Sequence, residues 1–248
     1  MTLAEFKSKY EKVPVDEFPN EVPDDVKVSV CVQTYQHAPY IEECLNSILA
    51  QETDFNYEIL LGEDASTDGT RDICIRYAKE HPTKIRLFLH HRENNILING
   101  NPSGRFNLLY NFNSAKGKYI AICEGDDYWT DSLKLQKQVD FLEKNPSCKL
   151  SITNSKYFYQ EQGIFKPFTI PKKYINKSSN VVDPMYTFSK KGVVFSMASF
   201  MFRKNEIFDI LFKELQSVMN FSDRAIQLRA LKDGSICCLP DVTSAYRV

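Results

Sequence analysis

Residues 118–129 read Lys-Tyr-Ile-Ala-Ile-Cys-Glu-Gly-Asp-Asp-Tyr-Trp. The first half of this stretch is apolar and predicts a buried strand over 118–123. The second half places three acids, Glu124, Asp126 and Asp127, where that strand ends. Neighbouring carboxylates repel one another, and a bound cation removes the repulsion. The stretch therefore predicts a strand that ends at a cation site; the alternative is a solvated acidic turn that caps the next helix.

Segments upstream of this stretch alternate between strands and helices. Apolar runs predict strands over 28–32, 57–61 and 85–89. Helices are predicted after Pro39, after the polar turn at 63–70, and over 105–115, the last behind a glycine- and asparagine-rich loop at 93–104. Alternation of this kind predicts an α/β fold, a Rossmann-like and mostly parallel sheet flanked by helices.

The pattern downstream is more mixed. A helix is predicted to begin at Thr130 or Asp131 and to end at Asn145. Strands are then predicted over 149–153, 196–202, 235–239 and 242–247. Two further helices are predicted over 205–218 and 222–232. Residues 1–25 are charged and punctuated by proline, which predicts an N-terminal extension ahead of one domain at 26–248.

Composition excludes several classes of protein. The 31 basic and 32 acidic residues give a net charge of -1, so no overall field would gather nucleic acid, and we expect no nucleic-acid partner. The seven cysteines lack C-x-x-C spacing, which predicts reduced thiols instead of a zinc cluster. The first 25 residues contain no apolar run typical of a signal peptide, so we expect a cytoplasmic protein.

Ligands of parallel α/β sheets bind at the carboxyl ends of the strands, where loop amides and helix N-termini converge. In this sequence the rule selects residues 34–36, the pair Glu63 and Asp64, and the acids at 124–127. Mg²⁺ and Mn²⁺ prefer oxygen ligands, and Mg²⁺ is often held by one or two carboxylates while substrate phosphates and water complete the shell. Mg²⁺ or Mn²⁺ is therefore the expected cofactor.

Three motifs, in this order, resemble family 2 glycosyltransferases with the GT-A fold. They are Val-Cys-Val-Gln-Thr-Tyr-Gln at 30–36, Glu-Asp-Ala-Ser-Thr-Asp-Gly-Thr at 63–70, and the stretch from Lys116 to Trp129. The resemblance is strong over 27–145 and weaker beyond. It implies a nucleotide-sugar-binding half at 26–130 and a mixed acceptor-side half at 131–248.

The resemblance also implies roles for individual residues. Nucleotide binding would fall to Thr34, Tyr35, Glu63, Asp64, Arg105, Asn107, Glu124 and Asp126. Asp127 would be a metal ligand, and Asp126 would contact the ribose or the metal. Glu124 stands where many members carry Asp, so the role of the first acid differs from the family pattern.

Catalysis by such enzymes requires a base that removes a proton from the acceptor hydroxyl. Asp223 lies at a predicted helix start, as the family's base does, although Ser222 or Asp223 could instead cap that helix. Arg247 resembles a family residue near the diphosphate. The sequence given stops at Val248, where a His- and Gly-rich loop often follows in the family, so we expect a shortened protein or one without that loop.

The implied function is metal-dependent, inverting transfer of a sugar, from UDP by preference, to a glycan or lipid-linked acceptor in cell-surface polysaccharide synthesis. The aromatic, lysine-rich segment 156–191 could contact the inner face of the membrane or be a plain surface loop. Two alternatives stay open. A sugar-phosphate nucleotidyltransferase would usually carry a Gly-rich basic loop, which residues 33–37 lack, and a non-catalytic binding module would have little need for the acids.

Overall fold

The computed structural model describes residues 2–189, 194–204 and 223–248. The chain forms two compact units, one of residues 1–46 and 55–126 and the other of residues 47–54 and 127–248. Each unit contains both helices and strands, and the predicted α/β class is confirmed.

The first unit is a mostly parallel sheet with the strand order β1-β4-β3-β2-β7. Its strands are β1 (Asp16–Glu17), β2 (Val26–Thr34), β3 (Asn56–Glu63), β4 (Ile85–Leu89) and β7 (Tyr119–Ile122). The strand β2 pairs in parallel with both β3 and β7, and β3 pairs in parallel with β4. Nearly every residue of β2 and β3 is buried, as expected for strands covered on both faces.

Helices complete the first unit: α1 (Leu3–Tyr10), α2 (Ile41–Leu49), α3 (Thr70–Glu80) and α4 (Arg105–Ser114), with α2 ending in the second unit. The α4 residue Asn111 donates to the carbonyls of Val32 and Leu60, which fixes the helix over β2 and β3. The predicted N-terminal extension contributes Phe6 of α1, which is fully buried against Phe106 at a ring-centroid distance of 5.2 Å.

The second unit contains a mixed sheet with the order β11-β9-β12-β8. Its strands are β8 (Tyr128–Trp129), β9 (Cys148–Tyr159), β10 (Ile164–Phe168), β11 (Met201–Arg203) and β12 (Ser235–Arg247). The long β9 and β12 run parallel, whereas β10 and β11 are antiparallel to β9. Its helices are α5 (Lys134–Lys144), α6 (Pro184–Ser189) and α7 (Asp223–Asp233). The predicted mixed second half is thus confirmed.

Four local predictions differ from the structure. The loop predicted over 93–104 contains a hairpin of β5 (Ile96–Ile98) and β6 (Asn101–Ser103), whose residues Asn99 and Gly100 adopt positive φ. The strand predicted over 196–202 is a 3-10 turn, Met197–Ser199, followed by the short β11. The helix predicted to begin at Thr130 or Asp131 begins at Lys134, and β12 is one irregular strand where two were predicted.

Two predicted features lie outside the described residues, namely the helix over 205–218 and Ser222 as a helix cap. All seven cysteines lie within the described residues, buried and outside any disulfide, which agrees with the prediction of reduced thiols. Across the described ranges, no helix combines the length and the hydropathy that a membrane span requires.

Candidate nucleotide site

The ends of β2, β3 and β7 open onto one cavity of about 270 Å³ in the first unit. Its lining comprises Gln33, Thr34, Tyr35, His37, Asp64, Gly104, Asn107, Glu124 and Asp126. Six of these nine are residues for which the sequence predicted a nucleotide-binding role. Parallel pairing brings them together, because the three strands point the same way and their following loops meet at one edge.

Asp64 is the most completely positioned carboxylate in the cavity. Only 2% of its surface is exposed, and its Oδ2 accepts hydrogen bonds from Arg92 at 2.7 Å and Asn95 at 2.9 Å. Burial raises the pKa of Asp64, while the bonds from Asn95 and the charge of Arg92 oppose that rise. The Arg92 guanidinium also lies 3.9 Å from the ring centroid of Tyr35, so one cation positions two cavity residues.

Glu63 lies behind the cavity and is fully buried. Its Oε1 accepts a 2.6 Å bond from the Ser66 amide, and its Oε2 accepts from Nε of Arg71. These bonds fix the loop after β3, in which Ala65 has a positive φ of 57°. The loop after β2 contacts the loop after β3 through Gln36, whose side-chain oxygen accepts a hydrogen bond from the Thr67 amide.

Asn107 lies in the first turn of α4 and is 1% exposed. Its Nδ2 donates to the carbonyl of Gly62 at 2.8 Å, which brings the amide against the β3 backbone. Arg105, the other candidate from this helix, is not among the described residues that line the cavity.

Substituting Gly62 with Ala is expected to displace Asn107, because an added Cβ would lie 1.8 Å from its Oδ1. Overpacking of this kind costs about 1–3 kcal/mol of unfolding free energy, which urea denaturation would measure. The matched control is Gly104→Ala, where nothing lies within 4 Å of the added Cβ. Equal stability of the two variants would contradict the close approach of Asn107 to β3.

Several buried polar atoms of the cavity lack a hydrogen-bond partner within the described part of the chain. They are both side-chain polar atoms of Gln33, Thr34 Oγ1, His37 Nδ1, Asp64 Oδ1 and Asn107 Oδ1. Buried polar groups are nearly always paired in native proteins, so orphaned atoms grouped around one cavity indicate a polar ligand that pairs with them. Gln33 and His37 are additions to the predicted site; their positions, Gln33 at the end of β2 and His37 in the loop after it, were the available signal.

Glu124 and Asp126 line the far side of the cavity and are partly exposed. His37 Nε2 lies 3.9 Å from Asp126 Oδ2. Burial lowers the pKa of His37, although the charges of Asp126 and Asp68 oppose the shift. Gly125 allows the loop after β7 to lie close to Thr34, since an added Cβ would be 2.7 Å from Thr34 Oγ1.

Asp127 begins the second unit and is 1% exposed. Its Oδ1 accepts a 2.9 Å bond from the backbone amide of Arg247 at the end of β12. The Arg247 guanidinium carbon lies 5.2 Å from the ring centroids of both Tyr128 and Phe158, and the group also bonds Gln160.

Of the two predicted metal ligands, Asp126 lines the cavity and Asp127 does not. Asp126 and Asp127 offer carboxylate oxygens, the ligand type that Mg²⁺ and Mn²⁺ prefer. The described residues contain no group of three or more His, Cys, Asp or Glu side chains arranged to hold an ion. This donor set suits an ion that takes its other ligands from substrate oxygens and water, not one enclosed by protein.

Asp223 is the first residue of α7 in the second unit. Its Oδ1 accepts a 2.7 Å bond from the Arg224 amide, and its Oδ2 lies 3.5 Å from Gln227 Nε2. The bond from Arg224 comes from the next residue, whereas a helix cap accepts from the amide two or three positions on. The catalytic role predicted for Asp223 stays a proposal beside the cap alternative.

The family model for glycosyl transferase family 2 matches residues 29–204. TuaG of Bacillus subtilis, named for teichuronic acid biosynthesis, is 34% identical over 134 residues, which are 54% of this chain and 48% of that protein. The matched part thus spans about half the length of TuaG, and a smaller share of other curated relatives.

Two solved structures share the fold. Staphylococcus aureus TarS in complex with UDP has a TM-score of 0.59 and 20% identity, covering 90% of this chain and 61% of that one. The mannosyltransferase PcManGT of Pyrobaculum calidifontis, solved with GDP-Man and Mn²⁺, has a TM-score of 0.60 and 20% identity, covering 98% and 63%. Since the family match extends over more than half of the residues, the chain belongs to glycosyl transferase family 2 and has the GT-A fold.

Proposed function

We propose that this protein is a metal-dependent glycosyltransferase that takes a sugar from a nucleoside diphosphate, with UDP preferred, and transfers it to a glycan or lipid-linked hydroxyl. The first unit binds the donor and the second unit binds the acceptor. By analogy with TuaG, the product belongs to a cell-surface polysaccharide. Residence at the inner face of the membrane is part of the same proposal.

The observation that carries this proposal is the group of orphaned polar atoms around the cavity. Asp64 Oδ1 is a buried acceptor in the cavity that the exposed ring of Tyr35 also lines. An acceptor beside an aromatic ring suits a nucleobase, which stacks on the ring and donates an N–H to the carboxylate. The Oδ2 bonds from Arg92 and Asn95 hold the carboxylate in that orientation.

The remaining cavity residues contact the rest of the donor in this proposal. Thr34 and Asn107 pair with the nucleotide, Glu124 and Asp126 bind the ribose, and Arg247, which does not line the cavity, is assigned to the diphosphate from the family resemblance. Asp126 and Asp127 would hold Mg²⁺ or Mn²⁺, which supplies charge neutralisation for the departing diphosphate. Asp223 accepts the proton of the attacking hydroxyl, and direct displacement inverts the anomeric centre.

Calorimetric titration with UDP, GDP and dTDP, each with and without Mn²⁺, tests the donor class. We expect UDP to bind most tightly and to require Mn²⁺. Asp64→Ala removes a hydrogen bond to a charged group, worth roughly 1.5–3 kcal/mol, so UDP affinity should fall about 10- to 100-fold. Because burial raises the pKa of Asp64 and the ionised form is the acceptor, wild-type affinity should decline on acidification at a higher pH than for an ordinary aspartate.

Asp72→Ala is the matched control, since Asp72 is an exposed acid of α3 that does not line the cavity. Metal-independent UDP binding would contradict the metal assignment, and no binding of any nucleotide would contradict the donor site. Transfer of a nucleotidyl group from UTP to a sugar phosphate would favour the nucleotidyltransferase alternative. Tight UDP-sugar binding without turnover would favour the binding module.

A further inference from the structure

A ladder of aromatic and cationic side chains extends from Asp127 along the hairpin of β9 and β10. We call it the hairpin strip, and it consists of Tyr128, Lys156, Phe158, Phe165 and Arg247. Phe158 and Phe165 are cross-strand partners whose rings stack with centroids 4.5 Å apart and planes 12° apart. Tyr128 meets Phe158 edge-on at 6.3 Å.

Both cations of the strip lie on these rings. Lys156 Nζ is 4.6 Å from the centroid of Phe165 at the outer end. Arg247 contacts the rings of Tyr128 and Phe158 at the inner end, where its amide bonds Asp127. The strip therefore joins an acid of the predicted metal motif to Phe165, which is 46% exposed.

The segment that contains the hairpin has an excess of positive charge. Residues 156–177 contain five lysines and a single acid, Glu161. Such an excess attracts anionic partners. The turn of the hairpin, Gln-Glu-Gln-Gly at 160–163, is exposed and polar, so the hairpin does not present an apolar tip for insertion into a bilayer. The rings of the strip lie along one face of the strands, behind the turn. This position suits an elongated ligand that lies on the same face.

We propose that the hairpin strip binds the acceptor, and that the acceptor is an anionic oligosaccharide; this rests on the proposed glycosyltransferase function. The glycan packs along the exposed part of Phe165 and continues past Phe158. Lys156 pairs with a carboxylate or phosphate of the glycan. The reacting end of the glycan lies at the inner end of the strip, beside Asp127.

The other face of the same hairpin provides matched controls, because successive side chains of a strand point to opposite faces. Ile164 is 46% exposed, the same fraction as Phe165. Lys166 Nζ lies 4.8 Å from the ring centroid of Tyr159, as Lys156 does near Phe165. Ile164→Ala thus truncates an equally exposed apolar side chain, and Lys166→Gln removes an equivalent charge, on the opposite face.

Titration with tetragalacturonate, an oligomer of glycerol phosphate and neutral cellotetraose, followed by NMR, tests the strip. We expect one or both anionic probes to bind more tightly than cellotetraose. Phe165→Ala should weaken binding about fivefold through the lost ring contact. Lys156→Gln should weaken it about threefold and reduce its salt dependence. Ile164→Ala and Lys166→Gln should bind as the wild type does.

Equal losses from the variants of both faces would overturn the proposal, as would equal binding of neutral and anionic probes or no binding of any. Association with phosphatidylglycerol vesicles that depends on both faces, without oligosaccharide binding, would assign the hairpin to the membrane instead. UDP titration of the same variants should be unchanged. A failure of the strip is thereby separated from a failure of the donor site, which UDP binding alone reports.

Discussion

Asp127→Asn is expected to lower sugar transfer about a thousandfold, because a metal supplies several kcal/mol of charge stabilisation to the transition state. The asparagine side chain is isosteric with aspartate. It keeps an oxygen that can accept the 2.9 Å hydrogen bond that the Arg247 backbone N–H donates to Asp127 Oδ1. The change therefore removes half of the predicted carboxylate pair while it preserves the local hydrogen bond. Turnover of UDP-sugars and the Mn²⁺ dependence of UDP affinity would be measured together.

A readout independent of turnover is the electron paramagnetic resonance of Mn²⁺ in the presence of UDP, which reports bound metal directly. We expect bound Mn²⁺ in the wild type and much less in Asp127→Asn. The control is Asp140→Asn, on the exposed side of α5, where the new amide still accepts from Gln136. If Asp127→Asn bound Mn²⁺ and transferred sugar at the wild-type rate, Asp127 would not be a metal ligand.

Asp223→Asn should lower turnover by about 10²- to 10⁴-fold, the usual contribution of a general base. UDP affinity should not change, because the donor cavity is formed by residues of the first unit. Asparagine is also a good residue at helix starts, so the variant keeps the contacts of a cap while it loses the base. The substitution thus separates the two roles that the sequence leaves open for this residue.

Steady-state kinetics and thermal unfolding of the same variant provide the comparison. Unchanged turnover of Asp223→Asn would show that Asp223 only caps α7; Asp223→Ala would then cost about 1 kcal/mol of stability and leave the rate alone. Asp241→Asn is the control, since Asp241 pairs with Lys137 at 2.9 Å and lies outside the proposed chemistry. A large loss of turnover in that control would indicate a general effect of removing acids from the second unit.

The order of strands and helices in the first unit could be predicted from the sequence because it depends on local periodicity. Mostly apolar runs mark β2, β3 and β7, and the polar and acidic residues at their ends are brought to one edge by parallel pairing. Hairpins and 3-10 turns were less predictable. The β5–β6 hairpin is closed by positive-φ residues inside a loop whose composition indicates only a turn.

Fold class, family and the acids that end the strands can be read from the order of residues, since each is a property of neighbouring residues. Tertiary structure alone decided which groups hold those acids: Arg92 and Asn95 reach Asp64 across 28 and 31 positions, and the Arg247 amide reaches Asp127 across 120. It also decided that Phe158 and Phe165 stack beside Lys156. Contacts between distant segments depend on strand register and loop conformation, which no local pattern of residue types specifies.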